Sequence, residues 1–245
     1  GGKLLVDSNV TPPDAPSIAS EHRASTSAGF SIVSYAGTGA NASVVHGLNA
    51  APDLLIIKNR TDTENWFVWH SSFSTPTREG LYLDLTANVQ NFGLTSFNDT
   101  VPSSSIITLG TSNLLNGSSD DCIAYCFSSV EGFSKFGSWV GDGESFVYLG
   151  FKPAFLLARC ASHAGDWMMY DTKRSPDNQP SDSNTLVANL GNAEDGHFNP
   201  NQATLDLLSN GFKIKHSGSG PLGDSGRTYV YCAFAEMPFK YSNAR

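Results

Sequence analysis

The chain has 245 residues, with 23 Gly, 12 Pro, 11% aromatic and 16% charged residues, enough for one large or two small domains. Its formal net charge of -8 lacks the basic footprint of a nucleic-acid binder, so no nucleic acid is expected as a partner. No apolar run approaches the ~20 residues of a membrane span, so no membrane insertion is expected.

Residues 1–28 differ from the rest of the chain. They hold three prolines and then a polar run from Ser17 to Ala28 with little periodicity. They read as an extended N-terminal arm or linker. Within it Leu4, Leu5, Val6, Pro12, Pro13 and Pro16 are the candidate assembly residues, able to tether the chain to a larger structure.

From Gly29 onward the chain repeats itself. Gly29-Phe30-Ser31 returns as Gly132-Phe133-Ser134, and Ser34-Tyr35-Ala36-Gly37-Thr38-Gly39 as Ser138-Trp139-Val140-Gly141-Asp142-Gly143. Pro52 to Lys58 matches Pro153 to Arg159, Asn65-Trp66 matches Asp166-Trp167, and Asp121 to Phe127 matches Thr228 to Phe234. The shifts stay between 101 and 107 residues in unchanged order. A period that long suits a duplicated domain, not a solenoid. The copies are expected over residues 29–131 and 132–245, with no flexible linker between them.

Within each copy the pattern is strand and turn. Asp53 to Asn59 and Ala154 to Cys160 are almost wholly apolar, as suits central strands. Trp66 to Trp69 and Trp167 to Tyr170 read the same way. Ile123, Tyr125 and Phe127 alternate with smaller residues, as do Val230, Cys232 and Phe234. Asn116-Gly117, Asp142-Gly143, Asn210-Gly211 and Gly218-Ser219-Gly220 are turn signals. The expected fold class is all-β: two tandem, duplicated antiparallel β-sandwich domains, jelly-roll or lectin-like.

The chemistry expected from the residues is sparse. Cys122, Cys126, Cys160 and Cys232 form no CxxC, and no His spacing completes a zinc site. They read as buried free thiols, which suits assembly in a reducing cytoplasm. Asp84, Asp142, Glu144, Asp166 and Asp171 are the candidate carboxylates for a glycosidase, but solvated turn positions explain them better. Gly141-Asp142-Gly143-Glu144 reads as a hairpin turn and not as a calcium loop. No catalytic residue, cofactor or metal is therefore expected. Trp66, Trp69 and Trp167 read as core. Tyr35 and Trp139, at matching positions before a Gly-rich turn, are the candidate surface-recognition pair. The other reading of that pair is packing at a sheet edge.

Three stretches carry a family resemblance: Val130-Glu131-Gly132-Phe133-Ser134-Lys135-Phe136-Gly137-Ser138-Trp139-Val140-Gly141-Asp142-Gly143, Phe146-Val147-Tyr148-Leu149-Gly150-Phe151-Lys152-Pro153-Ala154-Phe155, and Pro238-Phe239-Lys240-Tyr241-Ser242-Asn243-Ala244-Arg245. Together they resemble a family of virion structural and tail fibre proteins of marine and cyanobacterial tailed phages. The resemblance covers residues 29–245 and implies a non-enzymatic bacteriophage virion surface protein, first a tail fibre or receptor-binding component. A capsid decoration or knob protein anchored by the N-terminal arm is the alternative. A carbohydrate-binding or polysaccharide-degrading module is the third. The partners implied are other virion proteins and a host surface glycan or receptor. A homo-oligomer is expected, a trimer of the duplicated domain matching a sixfold environment.

Overall fold

Alternation of side chains across a pleated backbone builds both halves of this protein. The computed structural model describes residues 3–4, 16–174, 178, 185–193, 205–215 and 221–237. It divides into two compact units: Gly1–Leu83 with Gln90–Ser129, and Asp84–Val89 with Val130–Arg245. Both are built of antiparallel sheets, and the fold is all-β.

The first unit holds β1 (Lys3–Leu4), β2 (Ser20–Ser25), β3 (Phe30–Ala36), β4 (Ala42–Val45), β5 (Leu54–Asn59), β6 (Phe67–His70), β7 (Glu79–Tyr82), β8 (Gln90–Asn91), β9 (Ile106–Leu109), the one-turn α1 (Asn113–Asn116) and β10 (Asp121–Phe127). Its large sheet runs β1-β2-β3-β10-β5-β6-β7-β8, and β4 pairs with β9 in a small one. On β10 the small residues Cys122, Ala124 and Cys126 are buried, while Ile123, Tyr125 and Phe127 are half-buried. The inner face can take small residues there because its neighbours are bulky. Val33 and Ile57 flank Ala124, and Tyr35 lies opposite Cys122. Phe67 and Trp69 continue the face on β6, meeting Phe97 edge-on at 5.7 and 6.0 Å. Each such buried aromatic stabilises by about 1.5–3 kcal/mol relative to exposure.

The second unit holds β11 (Ser134–Val140), β12 (Phe146–Tyr148), β13 (Pro153–Cys160), β14 (Met168–Asp171), β15 (Leu186–Val187), β16 (Leu205–Leu208), β17 (Gly211–Ile214) and β18 (Thr228–Ala235). Its large sheet runs β11-β18-β13-β14-β15 and its small one β12-β17-β16. The order of β3-β10-β5-β6-β7 thus recurs as β11-β18-β13-β14-β15. Registers recur too: Tyr35 faces Cys122 as Trp139 faces Tyr229, and Ile57 faces Ala124 as Ala158 faces Tyr231. Volumes are exchanged across the pair. Val33 beside Ala124 becomes Gly137 beside Tyr231, and a Cβ on Gly137 would lie 2.8 Å from the Tyr231 hydroxyl. Redistributing volume in this way keeps a core filled. Trp139, Leu156, Met168, Phe212, Tyr229 and Tyr231 are among the residues of the second core.

Two glycines show why the Gly-rich turn recurs. A Cβ on Gly37 would lie 2.2 Å from the Gly117 carbonyl, and one on Gly141 equally close to the Asp224 carbonyl at 2.2 Å. Both sites need backbone against backbone, which only glycine allows.

Of the stretch expected as an arm, residues 16–28 are described, and they are part of the first unit. Pro16 and Ile18 are buried, and the polar stretch Ser20–Ser25 is β2, paired to β3 from Ser20 opposite Tyr35 to Ser25 opposite Phe30. The strand carries no apolar alternation because its side chains are mostly exposed. Its main-chain ladder, not burial, holds it in place.

Candidate functional site

Tyr35 and Trp139, the matched aromatics, are core residues at 5% and 8% exposure. The Tyr35 hydroxyl donates to the Leu115 carbonyl at 2.7 Å, and burial pushes its pKa well up. Trp139 stacks on Tyr229 with centroids 4.8 Å apart and meets Phe212 edge-on at 5.5 Å. Neither ring offers a face to a ligand, because both lie on the inner face of their sheet. Of the assembly candidates, Leu4 lies in β1 opposite Ser20, and Pro16 is buried. Leu5, Val6, Pro12 and Pro13 lie outside the described residues.

Of the candidate carboxylates Asp84 is exposed, and the other four are engaged by neighbouring groups. Asp142 accepts from the Ser145 hydroxyl at 2.6 Å, and Glu144 pairs with Lys213 at 2.9 Å. Asp171 pairs with Arg174 at 2.6 Å and accepts the backbone N–H groups of Lys173 and Arg174. Asp166 accepts from Asn189 Nδ2 at 2.7 Å, and Asn189 Oδ1 accepts the Trp167 N–H at 2.9 Å. The two Asp171 bonds to backbone fix a turn in the way Asp commonly does, and the other carboxylates are held by side chains. Among the described residues no three or more His, Cys, Asp or Glu side chains come together as a metal site. No helix there is long and apolar enough to cross a membrane.

Sequence reasoning passed over two features. The first is Arg159 on β13, fully buried although charged. Its Nη1 donates to the Leu85 carbonyl at 2.8 Å and its Nη2 to the Ala87 carbonyl. The guanidinium lies over the Trp167 ring at 5.4 Å, and burial pulls its pKa down to about 10. The strip Asp84–Val89 is held further by Val89 N–H to the Ala161 carbonyl at 2.8 Å and Gly165 N–H to the Thr86 carbonyl at 2.9 Å. A planar fork suits two adjacent carbonyls. Lys58 occupies the matching register in the first unit, where its Nζ donates to the Asn59 and Glu64 carbonyls, both at 2.6 Å. Both units therefore gather carbonyls around a cation at the same sheet position.

The second feature is the outer face of β12. Phe146 and Tyr148 are 49% and 60% exposed, with Val147 between them buried. Residues two apart in a strand share a face, so both rings stand on the solvent side about 7 Å apart along the strand. Lys135 Nζ lies 5.5 Å from the Tyr148 ring centre and donates to the Tyr148 carbonyl at 2.7 Å. Val140 is exposed as well. Exposed aromatics that adjoin one another mark contact surfaces more often than isolated ones do. The signal was present in the sequence as an aromatic–Val–aromatic alternation, but periodicity does not say which face is inward.

Fold and site together define an all-β protein with buried aromatic cores and an outward aromatic strand. The chain matches the family described as a domain of unknown function (DUF7483) over residues 8–238, and it belongs to that family. Curated proteins give no match. Among solved structures, the major capsid protein P2 from bacteriophage PM2 is similar at 8% identity and a TM-score of 0.23, over 83% of this chain and 96% of that one. A likeness that slight carries no argument about this chain.

Proposed function

We propose that this protein is a non-enzymatic surface component of a bacteriophage particle, acting first as a tail fibre or receptor-binding part. The observation that carries the reading is the exposed Phe146–Tyr148 face on a unit whose other described large aromatics are mostly buried. Such a face has a cost in solubility that a contact repays. The motif resemblance to virion proteins supplies the setting. Host surface glycans or receptors and neighbouring virion proteins are the partners the reading implies.

A cryo-EM reconstruction of the parent particle tests it. Density for the two units at the tail, with Phe146 and Tyr148 pointing outward, supports the receptor-binding role. Density on the shell replaces that role with capsid decoration. Absence of the chain from purified particles, checked by mass spectrometry, removes the virion reading altogether.

A further inference from the structure

In the first unit the turn after β4 lies against β2. Gly47 takes a left-handed φ of +72° between His46 and Leu48, and both neighbours are buried. A Cβ on Gly47 would fall 2.6 Å from His22 Cδ2 and 2.7 Å from His22 Nε2, so one edge of the His22 ring rests on the glycine. His22 stands on β2 opposite Val33, which is fully buried. Ser20 is buried and His22 half-buried, while the other side chains of β2 are exposed. β2 therefore meets the interior of the first unit chiefly through Ser20 and this ring.

His46 is fully buried, and its ring is bonded at both nitrogens. Nδ1 accepts the Leu48 N–H at 3.3 Å, and Nε2 lies 3.1 Å from the Ser103 carbonyl. An amide N–H only donates and a carbonyl only accepts, so the single ring proton sits on Nε2 and the imidazole is neutral. A second proton, on Nδ1, would aim N–H at N–H and break the bond that closes the turn. The His46 carbonyl accepts from the Ser31 hydroxyl, which ties the same turn to β3. His22 Nδ1 is buried without a hydrogen-bond partner, so a cationic His22 would hold an N–H with no acceptor. Each ring thus fits its place neutral and is out of place charged.

Among the described residues the ionisable group acting on His46 is His22. β3 meets the pair with Ser31 and Val33, and Ser103 and Ser105 bond His46 through their main-chain carbonyls. β4 and β9 carry no charged residue. On β2, Glu21 and Arg23 are exposed and point to the face opposite His22, and β1 sets Lys3 opposite Glu21. We propose that His22 and His46 form an acid-operated latch: protonation of the pair opens the His46–Leu48 turn and loosens β2 while the rest of the first unit stays folded. Burial lowers the His46 pKa from its ordinary 6.5 and a charged His22 lowers it further, against the opposing effect of the Ser103 carbonyl. A histidine whose folded pKa is lowered contributes fully above its unfolded value, and the contribution is lost as pH falls below it. The latch is therefore closed near neutrality and weakens below about pH 6.5. With β2 loosened, β3 becomes the edge of the large sheet. The proposal goes beyond the virion reading and stands without it.

The test measures amide protection in the full chain by NMR at about pH 7.5 and about pH 5, corrected for intrinsic exchange. A ring that takes its second proton only with the turn open favours opening about thirtyfold more at the lower pH. The Leu48 amide and the β2 amides bonded to β3 are expected to lose about that much protection. Ala124 on β10 and Ala158 on β13 are expected to keep theirs. His46→Gln supplies a neutral acceptor and donor at every pH, and its β2 amides are expected to change by about threefold or less. His22 is half-buried, so His22→Gln keeps the test usable where His46→Gln fails to fold, and it is expected to shrink the drop by about threefold or more. Three results overturn the proposal. Protection of Leu48 and β2 is the same at both pH values. The drop survives both Gln variants at full size, so another group senses the acid, such as the buried His70, whose Nδ1 accepts the Ser72 N–H at 3.1 Å. Ala124 loses protection in step with β2, so acid unfolds the whole unit and no latch exists.

Discussion

Arg159 Nη1 donates to the Leu85 carbonyl at 2.8 Å across 74 residues of sequence, and both groups belong to the second unit. The strip Asp84–Val89 is thereby fixed in a unit whose other residues begin at Val130. Arg159→Met keeps the volume and removes the fork, leaving the Leu85 and Ala87 carbonyls without their donor. The expected loss is about 3 kcal/mol of unfolding free energy, read by denaturant titration. Arg159→Lys is expected to recover less than half of it, because an ammonium cannot span both carbonyls with one planar group. A wild-type midpoint for Arg159→Met sinks this account of the strip.

Asn116 ties loops together in the first unit. It is fully buried, its Oδ1 accepts the Thr38 N–H at 2.8 Å, and its Nδ2 donates to the carbonyls of Ala40 and Gly110 at 2.6 and 2.7 Å. The loop of Thr38 and Ala40 and the loop of Gly110 meet on one amide. Asn116→Ala is expected to cost about 2–4 kcal/mol, and Asn116→Asp a comparable amount through the loss of both amide donors. Thermal melts of the two variants decide the point.

Trp139 and Tyr35 are predicted to act through stability. Trp139→Ala opens a cavity between Tyr229 and Phe212 and is expected to cost about 3–5 kcal/mol. Tyr35→Phe removes one hydroxyl bond to the Leu115 carbonyl and is expected to cost about 1 kcal/mol. By contrast, Tyr148→Ser on the outer face is expected to stay within about 0.5 kcal/mol of wild type. If Trp139→Ala melts with the wild type yet loses attachment to host cells, the packing role assigned to it is wrong.

Alkali is expected to weaken the fold. Burial pushes Cys122 to about 11 and Cys232 to about 12, against 9.0 for an ordinary thiol, and Tyr229 and Tyr231 to about 12, against 10.0. A group whose folded pKa is raised holds its proton more tightly folded than unfolded. Its contribution is complete below the unfolded value and is lost as pH rises toward the folded one. Arg159 opposes this, since its lowered pKa makes stability rise with pH above about 10, but it is one group against several. Denaturation midpoints should therefore fall from about pH 9 upward. All four cysteines are free and buried, so a thiol reagent should label none at neutral pH until denaturant is added.

Much of the sheet structure is legible in the residues themselves. Asp121–Phe127 shows its alternation openly, Thr228–Ala235 is instead apolar enough to be buried at five successive residues, and the recurrence of Gly37 as Gly141 follows a backbone approach that no side chain permits. Aromatic position was not enough to find a site. Tyr35 and Trp139 drew notice by recurring before a turn, yet recurrence reflects a shared core slot as readily as a shared surface. Phe146 and Tyr148 are visible in the sequence as an aromatic–Val–aromatic alternation, and only burial distinguishes them.

Composition, the period-two alternation and the internal repeat together determined an all-β chain with two similar strand sets, because those signals are local and depend on the pleat alone. The tertiary structure alone decided what each edge meets. Pro16–Ser25 is polar, so nothing in its pattern announces a strand, and its place is set by main-chain bonds to Ser43, Ile32 and Ser34 far along the chain. The strip Asp84–Val89 is likewise assigned to the second unit by carbonyls that meet Arg159, a pairing that carries no periodicity. Local alternation is written residue by residue, whereas edge coverage is a contest between distant segments for the same hydrogen bonds, and only the folded chain settles it.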